Sequence, residues 1–216
     1  MRYDTILYEL DHDIARVTLN RPEVMNGLNT AMRAELGDAV ARAGREARCF
    51  VMPGSGRAFC SGQDLGDRVT AADLDLERTL REEYEPLLRA IYDCPVPTIA
   101  AVNGAAAGAG ANLALAADVV IQVEDMPEEA ALADMEIANP FELTGLYEGI
   151  PLPEKSLADP QTSPDVITLY RLPILAEWCE RELPLGDLIS HILVHELAHH
   201  FGWSDADIAR IDRWWE

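Results

Sequence analysis

Lysine is almost missing from this chain: Lys155 is the single one among 17 basic residues, set against 38 acidic ones, and the formal charge is −21. A negative field of that size repels nucleic-acid phosphates and anionic lipid, so neither nucleic acid nor a membrane surface is expected as a partner. Cysteine is sparse as well. Cys49, Cys60, Cys94 and Cys179 are scattered, with no C-x-x-C pair. That spacing gives neither a zinc knuckle nor a disulfide framework, and it suits small buried thiols in a reducing, cytoplasmic setting. Long hydrophobic runs are lacking. Residues 95–123 are apolar, but Asn103, Asn112 and Asp118 interrupt them, and no membrane span is expected. No basic segment followed by an apolar one opens the sequence, so no signal peptide is expected either. What is present is 49% hydrophobic residues over 216 positions, enough for a core in one large domain or two small ones.

Charge divides the chain. Residues 1–122 carry 18 acidic and 12 basic groups, whereas residues 123–216 carry 20 and 5. A boundary near residue 122 follows, giving domains 1–121 and 122–216. The first reads as alternating strands and helices. Thr5–Leu10 and Ile14–Asn20 are β-rich runs around the turn Asp11-His12-Asp13. Thr30 heads a helix to about Arg45, and Cys49–Met52 is a short buried strand. A charged helix is expected over Leu76–Tyr92, a strand over Thr98–Val102, and a Gly/Ala-rich turn at Asn103–Gly110 entering a helix to Ala117. Such alternation implies α/β layering. In the second part, strands are expected at Val119–Glu124, Gly145–Leu152 and Asp165–Leu172, then a helix capped by Asp187 that runs to about Phe201.

That last helix carries the densest chemistry. Four of the five histidines lie between residues 191 and 200. On a helix, His195 and His199 share a face, with Glu196 beside them, which is the H-E-x-x-H pattern of a zinc peptidase. Gly202 lets the chain turn, and Asp205 can then return a carboxylate as the third ligand that zinc requires besides an open position for water. In this scheme Zn2+ is the cofactor, Glu196 is the general base and a peptide or protein is the substrate. Each residue also has a structural reading. The imidazoles can be hydrogen-bonded core groups, and Glu196 can be a solvated helix residue. Asp205 and Asp207 both fall in the first turn of a short final helix, where a carboxylate favours the dipole, and the choice of third ligand between them is open. Ser204 and Asp207 fit a capping box. His191 continues the stripe as a group supporting the ligands, and His200 points off the ligand face towards the surface. Tyr147 and Tyr170 are candidate oxyanion donors whose rings serve packing equally well. The run Ile167–Tyr170 is a candidate edge for an extended peptide.

Leu19-Asn20-Arg21-Pro22, then Gly56-Arg57-Ala58-Phe59-Cys60-Ser61-Gly62-Gln63-Asp64-Leu65, then Asn103–Ala114 appear in an order that resembles the crotonase (enoyl-CoA hydratase/isomerase) superfamily, nearest its phenylacetate-pathway isomerase branch. The resemblance implies an oxyanion hole from the amides of Gln63 and Ala109, which would hold an acyl-CoA thioester, with Arg21 near the CoA. It covers the front part of a crotonase and stops near Ile121. Asn112 stands where hydratases carry their first catalytic Glu, and the isomerase carboxylate would come from the segment that is missing. Thioester binding without proton transfer is the expectation for this part.

Residues 123–127, 145–152, 167–171 and 195–202 resemble a family of small bacterial zincin-like metallopeptidases. This implies a complete minimal domain with a small sheet and an HExxH helix. The extended motif is similar to the metzincin pattern with Asp205 in place of a third His, and no Met-turn follows. The fold class expected is therefore α/β plus α+β: a truncated crotonase-like βαβ segment followed by a minimal zincin-like domain. Zinc-dependent peptide-bond hydrolysis is the leading function. The alternatives are acyl-CoA binding by the first part and a non-catalytic fusion or scaffold.

Overall fold

The computed structural model describes residues 2–67, 76–156 and 163–210. The chain forms two compact units, Met1–Val120 and Ile121–Glu216.

In the first unit, β1 (Ile6–Asp11) and β2 (Ile14–Leu19) form an antiparallel hairpin with Asp11 opposite Ile14. His12 and Asp13 between them have φ of 45° and 63°, the left-handed pair that a two-residue hairpin turn of matching twist requires. β3 (Cys49–Pro53) lies parallel to β2, and β5 (Thr98–Val102) lies parallel to β3, giving the order β1-β2-β3-β5. α1 (Thr30–Glu46) buries Met32, Leu36, Val40 and Ala43, an i, i+4 stripe against the sheet residues Val17, Leu19, Phe50 and Met52. Its cap is Asn29 rather than Thr30: the Asn29 side chain accepts from the Met32 amide at 2.8 Å, and the extended backbone one residue earlier decides the helix start. The charged helix is present in three pieces, α2 (Leu76–Thr79), a π-turn over Leu80–Tyr84 and α3 (Glu85–Tyr92). Arg33 of α1 is buried against it, with Nη2 2.6 Å from Glu83.

Two short strands escape a reading by periodicity. β4 (Ala58–Cys60) pairs in parallel with β6 (Ala105–Ala106), just before α4 (Ala109–Leu115). At two or three residues each they are too short to show a period.

The second unit begins within β7 (Val119–Glu124). α5 (Glu129–Asp134), β8 (Gly145–Glu148), β9 (Asp165–Tyr170), α6 (Arg171–Glu180), α7 (Leu185–His200) and α8 (Asp205–Ile208) follow. The strand order is β7-β9-β8. β9 ends at Tyr170, two residues earlier than its composition suggests, because α6 starts at once and places Pro173 in its first turn, where a missing N–H costs nothing. α7 starts at Leu185 with Pro184 in the capping position; Asp187 lies inside the first turn, near the positive end of the dipole, and is not the cap. The core joins Ile167 and Tyr170 of β9 to Ile174, Leu188 and Ile192 of the two helices.

Candidate functional site

α7 and the turn behind it assemble the histidine site. The helix stops at Phe201, and Gly202 takes a φ of +82°, a conformation that a side chain resists. The chain then reverses into α8, whose capping box is closed by Ser204 and Asp207, with Ser204 Oγ donating to Asp207 Oδ2 at 2.6 Å. Asp207 is thereby committed to the cap. Asp205 faces the helix instead, its Oδ1 lying 3.3 Å from His195 Nε2 and 3.3 Å from His199 Nε2.

These three donor atoms lie within 4.8 Å of one another. Tetrahedral zinc with bonds of about 2.0–2.1 Å separates its ligands by roughly 3.3 Å, so the two 3.3 Å edges match that size, and two imidazoles with a carboxylate are an ordinary zinc set. The residues fit the ion. His199 Nδ1 lies 3.0 Å from the Trp203 carbonyl oxygen. An oxygen there can only accept, so Nδ1 carries a proton, and Nε2 is the nitrogen that faces Asp205. Burial, reinforced by the neighbouring His199, holds His195 below its ordinary pKa and so neutral. His191 follows one turn earlier, its ring 6.3 Å from that of His195 and on the same cleft.

Glu196 is 8% exposed. Burial pushes its carboxyl up to about 7, against the pull of His199 and the Tyr147 amide. It lies against β8 at Gly145, where a Cβ would come within 2.9 Å of its Oε1. Glycine there is what lets the strand approach the helix. The cleft between β8 and α7 has a volume of 840 Å³ and includes Leu146, Tyr147, Trp203 and all four motif residues.

Three expectations are corrected. His200 is buried, not at the surface: its Nδ1 pairs with Asp165, a carboxylate 0% exposed at the head of β9. The run Ile167–Tyr170 has β7 on one side and β8 on the other, so it offers no free edge; the edge is β8. Tyr170 is buried, and the Tyr147 hydroxyl donates to Asp165 at 3.0 Å, so neither hydroxyl is presented to a substrate. Asp165 also accepts from Lys155 at 2.9 Å. Its burial would raise its pKa, but Lys155, Tyr147 and His200 together hold it below the ordinary range. Sequence reasoning missed this knot. Its one visible signal was the solitary lysine.

The first unit places its own candidates together. Leu28 donates to the Gly62 carbonyl and accepts from Asp64, so the Gln63 amide between them points away from Leu28. Gly62, at φ +96°, runs so close to the next turn that a Cβ would meet the Ala107 carbonyl at 2.7 Å and the Ala109 amide at 3.4 Å. Ala109 opens α4, where an N–H has no partner within the helix. Asn112 lies on the same helix. Arg21 is fixed, its Nη1 2.7 Å from Asp64 and 2.6 Å from the Gly27 carbonyl oxygen. It braces the loop that carries Gln63.

A family model described as enoyl-CoA hydratase/isomerase matches residues 9–150. The chain belongs to the enoyl-CoA hydratase/isomerase family. A second model, described as zincin-like metallopeptidase, matches residues 116–215. The chain is thus composite, and the two matches overlap from residue 116 to 150, beyond the point near Ile121 where the sequence motifs fade. It is 68% identical over 124 residues to a Rhodobacter capsulatus protein named "Probable enoyl-CoA hydratase", covering 57% of this chain and 48% of that protein. It is 44% identical over 121 residues to the 1,2-epoxyphenylacetyl-CoA isomerase of Escherichia coli, covering 54% and 46%. An enoyl-CoA hydratase/isomerase structure from Xanthobacter autotrophicus superposes with a TM-score of 0.53 at 38% identity, covering 57% of this chain and 47% of that one. The chain spans about half the length of the curated relatives it matches. The first unit has the crotonase-like α/β fold. No helix among the described residues is long and apolar enough to cross a membrane.

Proposed function

We propose that the second unit, residues 122–216, is a zinc-dependent peptidase domain and that peptide-bond hydrolysis is the function of this chain. The observation that carries the proposal is the convergence of His195, His199 and Asp205 beside a buried Glu196. His195 and His199 would hold zinc as neutral imidazoles and Asp205 as a carboxylate, with His191 supporting the stripe. Zinc in that position supplies Lewis acidity, polarising a scissile carbonyl and acidifying water. The chain's own groups do the rest. The exposed edge of β8 pairs with the backbone of an extended peptide, which sets the scissile carbonyl over the histidines. Glu196, poised near neutrality, takes a proton from the attacking water on its free carboxylate oxygen and passes it to the departing amine nitrogen. The four cysteines are free, which suits the reducing cytoplasm.

Elemental analysis of the purified chain tests the first step: about one zinc per chain is expected, lost in a His195→Ala/His199→Ala variant. Glu196→Gln should keep the metal and lower peptide hydrolysis by roughly 10²–10⁴-fold. Undiminished hydrolysis in that variant would remove Glu196 from the mechanism.

A second reading concerns residues 1–121. The amides of Gln63 and Ala109, brought together at Gly62, form a cradle for a thioester oxygen, so this unit binds acyl-CoA without turning it over. Titration calorimetry with an acyl-CoA tests it, and the absence of heat at millimolar ligand leaves the unit as a structural fusion partner.

A further inference from the structure

We infer that the cleft of the second unit selects peptides with Lys or Arg side chains on both flanks of the scissile bond, and that Glu142 and Glu154 read those charges. The inference rests on the peptidase reading and adds the substrate class.

The two carboxylates bracket the edge strand. Glu142 ends a 3-10 turn (Pro140–Glu142) just before β8, and Glu154 ends another (Leu152–Glu154) after it. Both line the cleft. β8 is four residues long, about 13 Å at ~3.3 Å per residue, so a peptide laid along it covers roughly four residues and carries its flanking side chains towards the two turns. Leu146 and Trp203 in between offer apolar contact to the central residues.

The charge is not neutralised from within. Among the described residues of this unit every lysine and arginine has a carboxylate partner other than Glu142 and Glu154: Lys155 with Asp165, Arg171 with Asp125, Arg181 with Glu177 and Arg210 with Asp207. Glu177 also lines the cleft, but Arg181 stands 2.7 Å from it. Among the described residues the side-chain partner of Glu142 is the neutral Asn139 amide, at 3.4 Å. Among the described residues no lysine or arginine lines the cleft. Two exposed, uncompensated carboxylates at the ends of a peptide-binding edge favour a cation at each end and penalise an anion.

The experiment measures binding by fluorescence anisotropy with two labelled decapeptides of the same apolar centre, one flanked by Arg and one by Glu. The protein is the zinc-loaded full chain carrying Glu196→Gln, so that bound peptide is not consumed. The Arg peptide should bind more tightly, and adding Glu142→Gln and Glu154→Gln should cut its advantage about fivefold, on the scale of exposed ion pairs. Metal content and circular dichroism should be unchanged by these surface substitutions. An unchanged preference in the double variant overturns the inference, because the whole-chain charge of −21 would then be the cause and losing two of 38 acids hardly alters it. Equal binding of the two peptides, a preference for the Glu peptide, or no binding of either overturns it as well. The outcomes separate from the peptidase reading: cleavage by the unsubstituted chain without charge preference removes the inference alone, whereas charge-selective binding without any cleavage removes the peptidase reading alone.

Discussion

Asp165 ties together three elements around the cleft, and replacing it with Asn tests how the second unit is held. The carboxylate is fully buried and receives the Tyr147 hydroxyl of β8, the Lys155 ammonium of the following loop and the His200 ring of α7. Asparagine keeps the shape but removes the charge, so the three donors that converge on Oδ2 meet at best a neutral amide oxygen. A hydrogen bond to a charged group contributes about 1.5–3 kcal/mol, and a buried group left without its partner costs about 1–3 kcal/mol. Full loss of a buried ion-pair partner costs about 3–5 kcal/mol, but the Lys155 side chain is 30% exposed and can turn partly to water. A loss of about 2–3 kcal/mol is therefore expected for Asp165→Asn. All four tryptophans, at 178, 203, 214 and 215, belong to the second unit, so tryptophan fluorescence during urea unfolding reports that unit selectively. The midpoint should fall with little change in slope. Because His200 follows His199 on α7, zinc affinity should fall as well. A change below about 0.5 kcal/mol for Asp165→Asn, the level of an ordinary surface substitution, would refute the account of the knot.

Two further outcomes concern the first unit. Gly62→Ala places a Cβ 2.7 Å from the Ala107 carbonyl in a backbone of φ +96°, and should destabilise the unit by about 2 kcal/mol or more and weaken any acyl-CoA binding; hydrogen exchange of peptides spanning residues 58–64 and 105–115 measures it. Acid should loosen the same unit. Burial raises the Glu35 carboxyl, but hydrogen bonds from Asp4 and Thr5 outweigh it, and the Arg21 hydrogen bond lowers Asp64, so both groups are held below their ordinary values of 4.5 and 3.8. A depressed carboxylate contributes stability that is present above its unfolded pKa and lost as pH falls through the folded one, so protection of residues 2–8 and 19–28 should decline from about pH 4.5 downwards. Unchanged protection to pH 3 would contradict this assignment.

Much of this molecule was legible before folding. The alternation of β-rich and amphipathic stretches marks β1, β2, α1, β3 and β5 because hydrophobic periodicity is a local property. The H-E-x-x-H stripe is equally local, since the pitch of a helix alone brings residues 195 and 199 to one face. The pairing of strands is not local. Nothing in Ile167–Tyr170 says that both its edges are used, and nothing in Gly145–Glu148 says that one of its edges is left open. His200 misled for the same reason: its position on the helix wheel points away from the motif, yet β9 lies on that side and supplies Asp165.

The sequence by itself determined the chemical inventory of this protein: a composite of two family patterns, two imidazoles one turn apart with a glutamate between, and an acidic second half. Tertiary structure alone decided which carboxylate joins the histidines. Asp205 and Asp207 are two residues apart in the same first turn, and although the motif offered Asp205 and the Ser204–Asp207 spacing a cap, it is the reversal at Gly202, with Ser204 claiming Asp207 as its capping partner, that turns Asp205 towards His195 and His199. The physical reason is that a motif fixes spacing along one helix, whereas a third ligand arrives from outside it along a path set by backbone conformation and competing hydrogen bonds.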